Sequence, residues 1–347
     1  METKDIVRVL VVNDSATVRA ALRAAIDKAE GFTVVGEGSG GEEAAPLVAA
    51  TRPSVVLMDV VMPRVDGYAA TREIMATAPV PIVLVSSVVN PRDVAVAMES
   101  LRSGALAIVE APPAPHEPAY ASRREALLRL LAAMAKVRVE RRPPAAPARP
   151  SRPPPTPPAP APLAVGIVAS TGGPGALVAV LRDLAGRPLP PVLLVQHLAA
   201  GYTPGFVKWL ESAVRRPVRV ASHEEPLAPD HVYVAPDDRH LGVDARLRAI
   251  VSDEAPVGHF RPSATWLLRS MARSLGPLAR AAVLTGMGDD GAEGAVALRH
   301  AGGRVVAQDE ATSVVYGMPA AAAARGGADA VLPLGQIAAW LVDGGAP

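Results

Sequence analysis

Residues 163–175 read Leu-Ala-Val-Gly-Ile-Val-Ala-Ser-Thr-Gly-Gly-Pro-Gly, an apolar run that ends at Ser170 and passes into a glycine-rich turn. A short apolar run bounded by such a turn is typical of a buried strand, and the spacing that follows predicts a helix over 175–184. Strand, turn and helix in this order form the repeating unit of an α/β fold with parallel strands. This stretch therefore predicts an α/β fold with Ser170 at the carboxyl end of a strand.

Two further apolar runs in the second half of the chain end on residue types that acyl-transfer chemistry uses. Residues 191–196 lead to His197, and residues 281–287 lead to Asp290 just past a Gly-Met-Gly turn. The carboxyl ends of parallel strands point at a shared crevice, where open α/β sheets bind their ligands. A serine, a histidine and an aspartate in that crevice form a candidate nucleophile, base and orienting carboxylate of a serine hydrolase.

The same residues allow other interpretations. Ser170 alone could be a helix cap in a tight glycine turn. A phosphate-binding loop fits poorly, because the turn has neither Gly-x-Gly-x-x-Gly nor Gly-Lys-Ser/Thr. The histidines have no zinc-site spacing, so we expect a hydrolase that needs no metal or other cofactor. From chemistry alone, Asp289 and Asp290 both stay open as the partner of His197.

The composition limits the class of protein. The chain has 347 residues, a net charge of +1 and no cysteine. This length suggests two domains, and the absent cysteines exclude disulfides and a thiolate nucleophile. With so small a net charge, and with an arginine cluster over 123–152 that lacks interleaved aromatics, we expect no nucleic-acid binding. No apolar stretch is long enough for membrane insertion and the first residues do not resemble a signal peptide, so we expect a soluble, cytoplasmic protein.

A proline-rich segment divides the chain. Residues 143–162 contain eleven prolines, which predicts an extended, semi-rigid spacer. We therefore expect a first domain over 1–140, a linker over 141–162 and a second domain over 163–347. In the first domain, five strands alternate with five helices, one of them over 94–103, which predicts a doubly wound five-stranded parallel sheet. The second domain shows the same alternation with a mainly parallel sheet and a short β-rich insertion near 231–253.

Acidic side chains also follow strands in the first domain. Asn13 and Asp14 follow the first strand, Asp59 ends the third, and Ser86 closes the fourth. Carboxylates crowded at one sheet edge need a positive partner, and Mg²⁺ prefers such oxygen ligands. A carboxylate beside this ion can attack a phosphoryl group.

Residues 56–67, Val-Leu-Met-Asp-Val-Val-Met-Pro-Arg-Val-Asp-Gly, closely resemble the phosphoacceptor loop of two-component response-regulator receivers. The resemblance covers about residues 6–138. It implies that Asp59 is the phosphoacceptor, that Asp14 and Asp59 with Asn13 hold Mg²⁺, and that Ser86 is the switch hydroxyl.

The chain departs from this receiver pattern in two ways. Asn13 stands where receivers usually have an acidic residue, and Ala111 stands where they have a lysine. Without the lysine, no cation at that place pairs with the acyl phosphate. We therefore expect a degenerate phosphorylation site.

Six segments of the second domain resemble the chemotaxis protein-glutamate methylesterase family, in the family's order. They are residues 169–174 (Ala-Ser-Thr-Gly-Gly-Pro), 196–197 (Gln-His), 234–240, 261–263 (Arg-Pro-Ser), 284–291 (Leu-Thr-Gly-Met-Gly-Asp-Asp-Gly) and 316–319. The resemblance selects Asp290 as the triad aspartate beside Ser170 and His197. It also implies an oxyanion hole made by backbone N–H groups at Met287 and Thr171. Arg261 stays open between a structural role and a contact to an acidic receptor.

The resemblance implies a function and partners. The expected reaction removes methyl groups from glutamate γ-methyl esters and deamidates glutamines on the cytoplasmic helices of methyl-accepting chemoreceptors. The expected upstream partner is a chemotaxis histidine kinase that phosphorylates the receiver. The alternative is a receiver that no longer switches, which would leave a constitutive esterase or a scaffold in a chemosensory pathway.

Overall fold

The computed structural model describes residues 6–86, 96–97, 99–101, 104–137, 139 and 161–344. The chain separates into two compact units, Met1–Ala146 and Pro147–Pro347. Most of the proline-rich spacer predicted for 141–162 lies outside the described residues, as does about half of the helix predicted over 94–103 and the side chain of Ser86.

The first unit contains a five-stranded sheet in which all strands run parallel. Its strands are β1 (Val7–Val12), β2 (Phe32–Gly38), β3 (Val55–Asp59), β4 (Ile82–Ser86) and β5 (Ala107–Glu110), and the helices with defined bounds are α1 (Ala16–Asp27), α2 (Gly41–Thr51), α3 (Gly67–Thr77) and α4 (Tyr120–Met134). This confirms the predicted receiver-type doubly wound sheet.

The order of these strands fixes where a site can form. The order is β2-β1-β3-β4-β5, so the chain leaves β1 in one direction and returns on its other side with β3. Such a reversal opens a crevice at the carboxyl ends of the two strands. Asn13 directly follows β1 and Asp59 ends β3, so both lie at this crevice.

The second unit is built on a seven-stranded sheet, also parallel throughout its described strands. Its strands are β6 (Ala164–Ala169), β7 (Val192–Gln196), β8 (Val218–Val220), β9 (Val232–Val234), β12 (Ala279–Val283), β13 (Arg304–Gln308) and β14 (Ala330–Leu332); its helices are α5 (Gly173–Asp183), α6 (Thr203–Val214), α7 (Ala264–Ser274), α8 (Ala292–His300), α9 (Met318–Ala324) and α10 (Leu334–Asp343). The central strands are buried along their length, as expected for a sheet covered by helices on both faces. The predicted α/β class is confirmed.

The β-rich insertion is an antiparallel hairpin of β10 (His240–Val243) and β11 (Ala249–Ser252). Ser270 of α7 attaches it to the core, because the hydroxyl accepts from Val243 N at 3.0 Å and donates to Val243 O at 3.1 Å. The segment over 231–234, which the predicted insertion included, contributes β9 to the large sheet instead.

The last three elements, α9, β14 and α10, were not predicted from the sequence. A buried arginine holds the last of them against the sheet. Arg280 of β12, 3 % exposed, donates from Nη1 to the carbonyl oxygens of Leu341 and Val342 at 2.9 and 2.8 Å. A cation at these carbonyls satisfies acceptors that a helix end leaves open and complements the helix dipole.

No helix in the described part of the chain combines the length and apolar character needed to cross a membrane.

We predict that Arg280→Met destabilises the second unit by about 2–3 kcal/mol, because it leaves two buried carbonyl groups without their charged donor. All three tryptophans (Trp209, Trp266 and Trp340) lie in this unit, so tryptophan fluorescence during urea unfolding reports its stability. The control is Arg273→Met, at an exposed position of α7, which should change the free energy of unfolding by less than about 0.5 kcal/mol. Equal stability of the two variants would contradict this role for Arg280.

Candidate active site

The order of the large sheet brings three strand ends together. The order is β14-β13-β12-β6-β7-β9-β8, so the chain reverses direction at β6, between β12 and β7. Ser170 follows β6, His197 follows β7, and Asp290 lies beyond β12. All three predicted residues therefore lie at the carboxyl edge of three adjacent strands, at the point where such sheets bind ligands.

Backbone contacts hold the serine turn against the histidine strand. Ala169 and Gln196 are paired in register, and His197 N donates to Ala169 O at 3.0 Å. The Gln196 side chain adds to this, because its Nε2 donates to Ser170 O at 2.9 Å and to His197 O at 3.0 Å. Gln196 Oε1 lies in the space that a Cβ at Gly173 would occupy. A side chain larger than hydrogen at position 173 would therefore displace this amide.

Asp290 and His197 form the central contact of the site. His197 Nε2 lies 3.0 Å from Asp290 Oδ2, and the side chains are 12 % and 2 % exposed. The Asp290 carboxylate also accepts from Ala264 N at 2.7 Å, from Thr265 N at 2.9 Å and from the Ser263 hydroxyl at 2.8 Å. These donors belong to the first turn and the N-cap of α7. The carboxylate thus lies at a helix N-terminus, where negative charge is stabilised.

These contacts keep Asp290 ionised although it is buried. Burial alone would raise the pKa of its carboxyl. The hydrogen bond and charge of His197, together with the N–H groups of Thr265 and Ala264, outweigh burial and lower that pKa to about 2. An ionised carboxylate only accepts hydrogen bonds, so Nε2 of His197 must carry the proton in this contact.

The remaining ring nitrogen is therefore the basic one. In the neutral imidazole with its proton on Nε2, the lone pair lies on Nδ1. This Nδ1 is buried and has no hydrogen-bond partner among the described residues. Ser170 Oγ, at the neighbouring strand end, makes no hydrogen bond to it within the described part of the chain. Contacts between nucleophile and base are often loose in enzymes without substrate.

The structure distinguishes the two adjacent aspartates. The Asp289 side chain is 60 % exposed and forms an ion pair with Arg325 on the surface, whereas Asp290 is buried against His197. The residue that bonds the imidazole is thus the one that the family resemblance selected.

The predicted oxyanion donors are the backbone N–H groups of Thr171, next to Ser170, and of Met287, next to Gly286. Within the described residues, neither Thr171 N nor Met287 N donates a hydrogen bond. Gly286, just before Met287, is fixed because its N donates to Val315 O at 3.0 Å and its O accepts from Met318 N at 2.8 Å. A Cβ at Gly286 would lie 2.9 Å from the Ser170 Cβ. The turn that carries Met287 therefore packs directly against the serine.

Two residues near the imidazole were not recognised from the sequence. Phe260 stacks on His197, with ring centroids 4.4 Å apart and 9° between the planes. Ser263 caps α7 and bonds Asp290. Arg261, between them, makes a bidentate ion pair with Asp238 at 2.9 Å for both bonds. The Arg-Pro-Ser motif pointed to this segment, but nothing in the sequence marks Phe260.

In the first unit, two of the predicted residues are in direct contact. Asn13 Nδ2 donates to Asp59 Oδ2 at 2.5 Å, while Asn13 Oδ1 accepts from Ser15 N at 2.8 Å. Asp14 is exposed, and Asp59 is half-buried. Across the described residues, no group of three or more His, Cys, Asp or Glu side chains is placed to hold a metal ion. The carboxylates of Asp14 and Asp59 are ligands of the kind that Mg²⁺ prefers. The Asn13 amide, in contrast, points its N–H group toward Asp59.

Comparisons with known proteins identify a family for each of the two units. The model of the CheB methylesterase family matches residues 165–341, and that of the response regulator receiver domain matches residues 9–116. A Myxococcus xanthus protein named protein-glutamate methylesterase/protein-glutamine glutaminase 4 is 48 % identical over 97 % of this chain and 96 % of its own length. A relative from Anaeromyxobacter dehalogenans, named protein-glutamate methylesterase/protein-glutamine glutaminase 3, is 47 % identical over 96 % of this chain and 99 % of its own.

A solved structure matches the second unit. The Thermotoga maritima CheB methylesterase catalytic domain is 34 % identical, with a TM-score of 0.50, and covers 52 % of this chain and 97 % of its own. The chain belongs to the CheB methylesterase family and carries a response regulator receiver domain ahead of the methylesterase domain.

Proposed function

We propose that the second unit is a serine hydrolase that cleaves glutamate γ-methyl esters on the cytoplasmic helices of chemoreceptors and deamidates glutamines there. The observation that carries the proposal is the hydrogen bond between His197 and the buried, ionised Asp290. It leaves a basic nitrogen at the strand end beside Ser170. The names of the relatives from Myxococcus xanthus and Anaeromyxobacter dehalogenans support both activities.

The proposed reaction begins with proton transfer from Ser170 Oγ to His197 Nδ1 as the oxygen attacks the γ-carbonyl carbon. Asp290 keeps the second proton on Nε2 and stabilises the imidazolium that forms. The N–H groups of Thr171 and Met287 bind the oxyanion, and one such donor contributes about 3 kcal/mol. The imidazolium then gives its proton to the departing methoxide, which leaves as methanol. Water, deprotonated by His197, then attacks the carbonyl carbon of the acyl-enzyme. The bond from this carbon to Ser170 Oγ breaks, His197 returns the proton to Ser170 Oγ, and the glutamate is released.

The same steps release ammonia from a glutamine side chain, since the imidazolium protonates the leaving amine in place of methoxide. None of these steps uses a metal or an organic cofactor.

We further propose that the first unit controls this reaction through phosphorylation of Asp59 by a chemotaxis histidine kinase, with Ser86 as the switch hydroxyl. Asp14 and Asp59, with Asn13, would hold Mg²⁺, which would neutralise charge on the phosphoryl group. The Asn13 contact to Asp59 and the alanine at position 111 favour the alternative, a receiver that no longer switches beside a constitutive enzyme. In the proposed domain division, the receiver covers 1–140, the linker 141–162 and the methylesterase domain 163–347.

We predict that Ser170→Ala lowers kcat for methanol release from methylated receptor by about 10⁴-fold or more, because it removes the nucleophile. The control is Ser212→Ala, at an exposed position of α6, which should retain full activity. Both variants should unfold at the urea concentration of the wild-type protein. Methanol release by Ser170→Ala at the wild-type rate would eliminate the serine mechanism.

The depressed pKa of Asp290 predicts a pH-dependent contribution to stability. A carboxyl whose pKa falls from 3.8 unfolded to about 2 folded stabilises the protein above pH 3.8, and the contribution is lost as the pH falls to 2. Asp290→Asn should therefore have a lower free energy of unfolding than wild type. This difference, the stability margin, should shrink by about 2 kcal/mol between pH 5 and pH 2.

Urea unfolding followed by tryptophan fluorescence across this pH range measures that margin. Asp289→Asn is the matched control, because the neighbouring carboxylate is exposed, and its margin should stay constant. A constant margin for Asp290→Asn as well would show that the carboxyl is not held ionised by folding.

For the receiver, we predict that the full-length protein takes up one phosphoryl group from a small acyl phosphate with Mg²⁺, detected by intact mass. Asp59→Asn should abolish the mass increase. Asp66→Asn, which keeps a capping side chain at the start of α3, should retain it. Methanol release is then compared before and after labelling. A changed rate supports control by the receiver, and an equal rate or an unlabelled wild-type protein supports the constitutive alternative.

A further inference from the structure

The aromatic ring of Phe260 lies against one face of the His197 imidazole, 4.4 Å between centroids and 9° from parallel. We propose that Phe260 is a positioning residue of the reaction, which fixes the plane of the imidazole and stabilises its protonated form. The inference rests on the proposed function, because it assigns His197 the role of base.

The hairpin turn that carries Phe260 is held independently of the catalytic residues. Val257 and Phe260 exchange two backbone hydrogen bonds of 3.1 Å, and Gly258 between them has a φ of +62°. On the other side, Arg261 makes its ion pair with Asp238 and donates from Nη1 to the carbonyl oxygens of Asp253 and Glu254 at 3.2 and 3.3 Å. The ring is thus presented to His197 from a turn with its own anchors.

Fixing the plane of the imidazole matters because Asp290 restrains only one of its nitrogens. A single hydrogen bond at Nε2 leaves the ring able to tilt about that contact, which would move Nδ1 away from Ser170. A parallel aromatic ring opposes this tilt, since stacked rings lose contact area when they leave the parallel arrangement. Packing of this kind, together with the hydrogen bond to Asp290, holds the imidazole close to one geometry.

The stack also affects the charged form of the base. When His197 accepts the serine proton, a positive charge develops on a ring that faces the negative π-surface of Phe260. The charge is largely removed from water, because the His197 side chain is only 12 % exposed. The ionised group that is hydrogen-bonded to the imidazole is Asp290. The guanidinium of Arg261, next to Phe260 in the chain, forms an ion pair with Asp238. Phe260 therefore stabilises the imidazolium without adding a second charge.

The test compares Phe260→Leu with Phe260→Tyr in the full-length protein. Leucine keeps the apolar contact but removes the aromatic face, whereas tyrosine keeps the face at this half-buried position. Phe260→Leu should lower kcat for methanol release about five- to tenfold with KM changed less than about twofold. The acidic limb of its kcat/KM profile should move to lower pH, because the protonated imidazole loses stabilisation. Phe260→Tyr should have a kcat and an acidic limb of kcat/KM close to those of the wild-type protein.

A role in packing alone would not move the acidic limb, even if the urea midpoint of Phe260→Leu fell. An unchanged limb, or an equal loss of kcat in both variants, would therefore overturn the inference. The outcome is separable from that of the proposed function. If Ser170→Ala is inactive while Phe260→Leu has wild-type kcat and pH profile, only the role of Phe260 is lost.

Discussion

The site depends on the stabilisation of one buried negative charge. Asp290 can remain a carboxylate with its side chain only 2 % exposed because the N-terminus of α7 and its Ser263 cap supply three donors, and His197 supplies a fourth. The bound carboxylate in turn fixes the proton on Nε2 of His197 and leaves Nδ1 basic. The helix therefore determines the tautomer of the His197 imidazole, although no residue of α7 makes a hydrogen bond to that ring.

In both units, a reversal in the strand order determines where the polar residues at the strand ends lie. In each sheet, the chain reverses direction beside a central strand, and the polar residues that follow the neighbouring strands meet at the reversal. In the first unit this brings together Asn13 and Asp59, and in the second Ser170, His197 and Asp290. The sheet fixes where such side chains meet, while the residues at the strand ends decide which reaction is served.

Much of this arrangement follows from the sequence. Apolar runs ending in Ser170, His197 and Asp290 predicted both the parallel sheet and the edge at which these residues lie, because strand ends in such folds share one crevice. The choice between Asp289 and Asp290 needed the family resemblance, since adjacent side chains point in directions that no pattern specifies. Phe260 was missed because it lies in a turn and not at the end of an apolar strand, so no pattern placed it at the crevice. The last helix, α10, was missed because nothing in its sequence shows that a buried Arg280 would hold its end.

The crowding around the serine turn has a consequence for protein engineering. Gln196 fills the space beside Gly173, and Met318 with Ser170 fills the space beside Gly286, so mutations meant to widen the choice of ester have no room there. The turn with Phe260 is different, because its residue His259 is exposed, although the φ of +62° at Gly258 would strain any side chain placed there. Libraries that aim to change which esters are accepted should therefore vary Val257 and His259, and leave Phe260 and the glycines untouched.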